Sequence, residues 1–266
     1  MKPVFSFTPT LNRLCVGLAG ALLCVAAHAA NPSDWWVDIA NDRAGNVKTL
    51  LAQGADPNEL SPKGQPALMQ AIRDGAWDVY DVLVANRKTS LNAININKET
   101  ALMYLAVLGE TKRAQDLIRR GALVNRLGWT PLQYAASTGK VETAKMLIAN
   151  KAIINAPAPD GTTALMMAAH SGSAAMVQLL LDHGADVTTQ NLQKLDAADW
   201  ARTKKHTALA AKLDALTDKT LKSRTGSQDE KPAAPDNKAA PKEPATQPSS
   251  GSRYFDLDRF NETPNP

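Results

Sequence analysis

Thr163-Ala164-Leu165-Met166-Met167-Ala168-Ala169 is the fourth copy of a phrase that the chain also writes as Pro66-Ala67-Leu68-Met69-Gln70-Ala71-Ile72, Thr100-Ala101-Leu102-Met103-Tyr104-Leu105-Ala106 and Thr130-Pro131-Leu132-Gln133-Tyr134-Ala135-Ala136. Its leucines, Leu68, Leu102, Leu132 and Leu165, stand 34, 30 and 33 residues apart. A second phrase runs in step with it: Gly54-Ala55-Asp56-Pro57-Asn58, Gly121-Ala122-Leu123-Val124-Asn125, Lys151-Ala152-Ile153-Ile154-Asn155 and Gly184-Ala185-Asp186-Val187. Self-similarity at this period marks a solenoid, whose units bury their apolar faces only against one another.

The grammar of each unit is helical. Thr100, Thr130, Thr163 and Asp196 place a side-chain oxygen where it caps a helix, and Pro131 takes a first helical position, where no amide donor is lost. Gly75, Gly109, Gly139 and Gly172 follow about two turns later and supply the left-handed conformation that ends a short helix. Second helices then show apolar residues at three-and-four spacing: Val79, Val82 and Leu83; Val141, Ala144, Leu147 and Ile148; Val177, Leu180 and Leu181. The alanine pairs at 135–136 and 168–169 allow close helix approach. Trp35-Trp36-Val37-Asp38-Ile39-Ala40 through Leu51 reads as an N-terminal cap, and Asp196 through Leu213 as a C-terminal cap with a more polar outer helix.

The two phased phrases resemble the ankyrin repeat, over about seventy per cent of the chain. The resemblance implies an all-α solenoid of about six helix-turn-helix repeats, atypical caps included, spanning residues 30–216 and followed by a disordered tail. The sequence departs from the family where a His usually follows the Leu: Met69, Met103, Gln133 and Met166 stand there, and Pro66 replaces a capping Thr. The side-chain bonds that usually tie successive loops are therefore not assigned by the resemblance.

Residues 1–29 read as a cleaved export signal. Lys2 and Arg13 form a positive n-region, Leu14 to Ala26 is apolar and small, and Ala27-His28-Ala29 is a peptidase pattern that leaves Ala30 or Asn31 at the new terminus. About 13 apolar residues fall short of the roughly 20 that span a bilayer, so no stable membrane insertion is expected after cleavage. Ala21-Leu22-Leu23 before Cys24 lacks the small residue of the bacterial lipoprotein signals, so no lipid anchor is expected. Cys15 and Cys24 both lie in this segment, and a thiol-free mature chain suits an oxidising compartment. The short Ala- and Leu-rich leader looks bacterial and points to the periplasm.

The net charge of +4 carries little information about partners. Lys2 and Arg13 account for two of those charges and the last fifty residues are balanced, which leaves about +2 between them. No basic footprint remains, and nucleic acid is not an expected ligand. Catalysis is not expected either. The mature chain offers His170, His183 and His206 but no Cys, no phosphate-cradling Gly loop and no His-Glu-x-x-His, so neither a metal nor a cofactor is implied. His183 ends a second helix, where an imidazole complements exposed carbonyls. Asp256 and Asp258 lie where geometry for acid-base work is not held.

Thr217 to Ser252 lacks aromatics and is rich in Pro, Ala, Lys, Ser and Asp, the composition of a disordered linker. Residues 253–266 then place Tyr254, Phe255 and Phe260, with Leu257, within seven positions. Three readings stay open for this segment: a partner-docking element, a segment folded back onto the repeat stack, or an idle end.

The expected activity is binding of a protein partner by a monomer. The resemblance implies contacts at the turn tips and at the exposed ends of the first helices. The tip candidates are Lys63 and Gln65, Asn97 and Glu99, Leu127 and Trp129, and Asp160 and Thr162. The helix-end candidates are Arg73 and Asp74, Val107 and Leu108, Ser137 and Thr138, and His170 and Ser171. Trp129 is either a hot spot, extended by Val107 and Leu108 into an apolar patch, or packed against its loop by Leu127 or Tyr104. Lys112, Arg113, Arg119 and Arg120 read as a solvated helix face. Two alternatives to a simple binding module remain: an accessory factor that protects or matures a periplasmic enzyme, and a membrane-tethered structural protein that retains its first thirty residues.

Overall fold

The computed structural model describes residues 31–225, so the expected signal and the aromatic segment at 253–266 lie outside the described residues. Twelve helices follow in order among the described residues, as six pairs. These are α1 (Asp34–Ala40) with α2 (Ala44–Ala52), α3 (Ala67–Asp74) with α4 (Trp77–Ala85), and α5 (Ala101–Leu108) with α6 (Thr111–Arg119). They continue as α7 (Pro131–Ser137) with α8 (Val141–Ala149), α9 (Ala164–Ser171) with α10 (Ala174–Asp182), and α11 (Ala197–Thr203) with α12 (Thr207–Thr225). The first helices stack side by side as an inner layer and each second helix backs its own partner. The repeat solenoid read from the sequence is the fold.

The phrase leucines Leu68, Leu102, Leu132 and Leu165 are at most 2% exposed, and Ala135, Ala136, Ala168 and Ala169 are fully buried between inner helices. Burying a Leu side chain contributes about 1.5–3 kcal/mol, and because each faces a neighbouring unit, the stability belongs to the stack. The helix starts follow the sequence signals. Thr100, Thr130 and Thr163 accept from the amides of Met103, Gln133 and Met166 at 3.4 Å, and Asp196 accepts from Asp199 at 2.9 Å. Pro66 offers no such bond at the start of α3. Gly75, Gly109 and Gly172 close their helices in the left-handed region.

Successive units are tied by an asparagine ladder. Asn31, Asn58, Asn92, Asn125 and Asn155 each donate Nδ2 to a carbonyl of the next unit, at 2.8–3.0 Å. Each also accepts through Oδ1 from an amide of that unit, at 2.7–2.9 Å. The loop ties that the resemblance left unassigned are made by these rungs and by Gln133, whose Nε2 donates to the carbonyls of Ala156 (3.0 Å) and Thr162 (2.8 Å). The sulfurs of Met103 and Met166 reach only the amides of Thr100 and Thr163, within their own caps.

The boundary expected at Leu216 falls inside α12, which continues to Thr225. At the last unit Thr188 stands where the ladder would place another asparagine, and α12 covers the vacant rung. Thr217 donates to the Val187 carbonyl at 3.4 Å, and Arg224 reaches Thr188 at 2.8 Å and Asp186 at 3.3 Å. Composition hid this extension because the added turns from Thr217 to Thr225 are largely polar and are held by hydrogen bonds to Val187, Thr188 and Asp186, while the apolar face of α12 ends at Leu216.

Candidate protein-binding surface

Between the helix pairs the chain forms narrow fingers. Ser61, Asn95, Ala158 and Asn191 donate their amides to the carbonyls of Gln65, Glu99, Thr162 and Leu195 at 2.8–3.1 Å. One residue in each of these fingers adopts a left-handed backbone at the same register: Gly64 (φ 70°), Lys98 (φ 60°), Gly161 (φ 81°) and Lys194 (φ 63°). The finger before α7 is three residues shorter, which accounts for the 30-residue spacing of Leu102 and Leu132, and Gly128 (φ 90°) turns it.

This turn decides which residues face outward. Two positions before it, Pro62, Ile96, Pro159 and Leu192 are exposed at the tips, with Ile96 at 71% and Leu192 at 75%. Leu127 tops the short finger at 95%, and Leu60 and Ile94 extend the apolar row. The residue just after the turn is sent back toward the core. Gln65, Glu99, Trp129 and Thr162 occupy that register and all are buried. The expected role of Gln65, Glu99 and Thr162 as tip contacts is thus corrected, because the left-handed residue reverses the chain immediately before them, and of the two readings open for Trp129 burial favours the packed one. Trp129, 7% exposed, is a core side chain.

Val107 and Ser137 are corrected as well, since both are buried between adjacent inner helices. The Thr138 hydroxyl donates to the Val107 carbonyl at 2.9 Å and the Ser137 hydroxyl to Tyr134 at 2.7 Å. The apolar patch of Val107, Leu108 and Trp129 therefore does not form. Lys63, Arg73 and Leu127 are exposed, and Asp74, Asn97, Leu108, Thr138, Asp160, His170 and Ser171 are partly so. Tyr254, Phe255 and Phe260 lie outside the described residues. Sequence reading missed Ile96 and Leu192, although aligning the loops on the helix caps places both at one register.

Lys63, Lys98, Arg126 and Lys194 each stand within two residues of an outward apolar side chain, and the acidic Glu59 and Asp160 stand beside Leu60 and Pro159. Arg126 donates to the Lys98 carbonyl at 2.6 Å, and the Leu192 amide donates to the Asp160 carbonyl at 2.9 Å, so neighbouring fingers are pinned to each other. His170 packs edge-on against Trp200, with ring centroids 5.4 Å apart. Burial, helped by nearby Lys204 and His206, pushes its imidazole down to about 4. His183 Nδ1 lies 2.8 Å from the Leu179 carbonyl at the end of α10. In the basic cluster, Arg119 and Arg120 pair with Asp116, which holds that carboxyl below its ordinary value, while Arg113 lies 4.0 Å over the Trp77 ring.

A family model described as ankyrin repeats (3 copies) matches residues 38–127 and 109–191, together more than half of the chain. The chain belongs to the ankyrin-repeat family. Relatives of this ankyrin-repeat chain include the Arabidopsis thaliana E3 ubiquitin-protein ligase XBAT33, 39% identical over 145 residues, or 53% of this chain and 27% of the ligase. The human transient receptor potential cation channel subfamily A member 1 is 36% identical over 160 residues, 56% of this chain and 14% of the channel. The chain thus spans about a quarter or less of the length of these relatives. Among solved structures, the ankyrin repeat domain of Bcl-3 matches with a TM-score of 0.56 at 24% identity, covering 67% of this chain and 82% of that one, a likeness of fold. A chain from the complex of the Bdellovibrio bacteriovorus predatory endopeptidase Bd0816 with immunity protein Bd3460 matches with a TM-score of 0.58 at 26% identity, covering 68% of this chain and 98% of that one.

Proposed function

We propose that this ankyrin-repeat chain is an exported protein-binding module that works without catalysis of its own and holds its partner along the fingertip row and the adjoining inner-helix ends. The observation that carries the reading is the row itself. Ile96, Leu127 and Leu192 are large apolar side chains exposed on fingers whose backbones are fixed by the asparagine ladder and by finger-to-finger bonds. A rigid surface loses little ordering entropy on binding, so its apolar contacts are retained as affinity. The apolar leader and the thiol-free remainder of the chain support the periplasm as its address. The module acts there as a monomer.

The partner we favour is an exported enzyme that the chain protects or matures. This reading is supported by the likeness to a chain of the endopeptidase–immunity protein complex, which extends over 98% of that chain. Crosslinking pull-down from the periplasmic fraction, followed by assay of the captured partner with and without this chain, tests both readings. Ile96→Ser and Leu127→Ser should each weaken capture by more than about 1 kcal/mol, roughly fivefold, at unchanged melting temperature. Unchanged capture by the double variant would remove the fingertip row as the binding surface. A captured partner whose enzymatic activity is indifferent to this chain would remove the protective role. The intact mass of the protein recovered from cells reads the leader, since cleavage after Ala29 removes about 3 kDa.

A further inference from the structure

The fingertip row has a chemical bias that narrows what seats on it. On adjacent fingers Ile96 stands beside Lys98 and Leu127 beside Arg126, and the Arg126 guanidinium is fixed by its bond to the Lys98 carbonyl. Lys98 makes no ion pair among the described residues, and like Lys194 it holds a left-handed turn position where Gly64 and Gly161 stand in sibling fingers. A lysine kept at a conformational cost beside an exposed isoleucine suits a ligand that alternates large apolar side chains with carboxylates.

The chain itself contains such a ligand in Phe255-Asp256-Leu257-Asp258. Side chains two apart on an extended strand share one edge about 7 Å apart, near the roughly 8–10 Å between stacked helices, so an extended Phe255-Asp256-Leu257 would place its two apolar side chains on neighbouring fingers. On such a strand Asp256 and Asp258 would fall on the opposite edge, complementary in charge to Lys98 and Arg126. Connectivity permits the contact. Arg224, at the end of α12, is anchored to Asp186 and Thr188, at the foot of the finger that Leu192 tops. The 28 residues from 226 to 253 span up to about 90 Å when extended, whereas the Ile96 and Leu127 fingers lie two or three repeat steps away, roughly 20–30 Å.

We propose that the segment Tyr254–Phe260 of this chain docks in cis on the Ile96 and Leu127 fingertips, so that tail and partner compete for one surface. Tethering gives the segment an effective concentration of order millimolar, enough for a weak contact to persist until a tighter ligand displaces it. The inference rests on the fingertip row as a docking surface, and on neither export nor the partner's identity.

The test uses the full chain with a photoreactive benzophenone side chain at position 257. Irradiation should give intramolecular crosslinks to peptides carrying Ile96 or Leu127, with a yield independent of protein concentration. Combining Asp256→Asn with Asp258→Asn, or raising the salt, should lower that yield several-fold, and Ile96→Ser with Leu127→Ser should abolish it without changing the melting temperature. Crosslinks elsewhere on the stack, a yield that rises with concentration as for a second copy, or a yield no greater than from position 250 would each overturn the proposal. Loss of partner capture in the fingertip variants without any cis crosslink would overturn it while leaving the binding reading intact.

Discussion

The phenol of Tyr134, on the inner helix α7, donates to the carboxylate of Glu99, at the base of the finger before α5. The second Glu99 oxygen accepts from Asn95 Nδ2 at 2.8 Å and from the Tyr104 hydroxyl at 3.3 Å, and Asn95 Nδ2 also reaches Gln65 Oε1 at 3.1 Å. One buried carboxylate therefore joins three successive units. Tyr134→Phe withdraws a donor from a charged acceptor that water does not replace, which should cost about 1–3 kcal/mol in urea unfolding. An unchanged midpoint would show that the knot carries no net stability.

Trp129 belongs to the core, and its substitution should behave accordingly. Trp129→Ala should destabilise the stack by about 3–5 kcal/mol, and Leu165→Ala by about 2–5 kcal/mol, both through lost transfer energy and a residual cavity. Thermal and chemical denaturation measure both. A Trp129→Ala protein that melts normally but loses its partner would return this residue to the surface.

The ladder predicts a change in cooperativity as well as stability. Asn92→Ala removes the Nδ2 bond to the Gly121 carbonyl and the Oδ1 bond from the Leu123 amide, which together should contribute about 1–2 kcal/mol at this exposed site. Because units couple only to their neighbours, the loss should also broaden the transition and raise hydrogen exchange in α1 to α4 relative to α7 to α12. Uniform exchange across the stack would contradict coupling through that rung.

His170 sets a pH dependence. Its imidazole, held between Trp200, Lys204 and His206, is lowered from 6.5 to about 4, so between those values the unfolded chain binds a proton that the folded chain does not. Stability is therefore unaffected by this group above the unfolded value, falls as pH drops from 6.5 toward 4, and has no further dependence on it below that. His170→Gln should flatten this part of the stability profile, measured by urea midpoints at pH 7 and pH 4.5. An identical profile in the variant would assign the acid sensitivity elsewhere.

Helix starts were legible because they are local. Thr130 and Asp196 act through bonds from amides three residues away, and Pro131, Gly75 and Gly109 act through their own φ. The direction of a finger side chain is not local in this way. Trp129 and Leu127 are two residues apart and both are tip candidates by sequence, yet Gly128 turns one inward and leaves the other outward. The tie made by Gln133 was equally hidden, since its carbonyl acceptors belong to a finger more than twenty residues on.

The chain's order alone determined that this protein is a stack. Two phrases in phase, each carrying its own caps and stops, oblige every unit to bury its apolar face against a copy of itself. The tertiary structure decided which residues the stack leaves for others to touch. Exposure depends on what the neighbouring unit covers: Glu99 bonds Tyr134 of the next unit and is buried, and α12 covers the last rung, which no further unit completes.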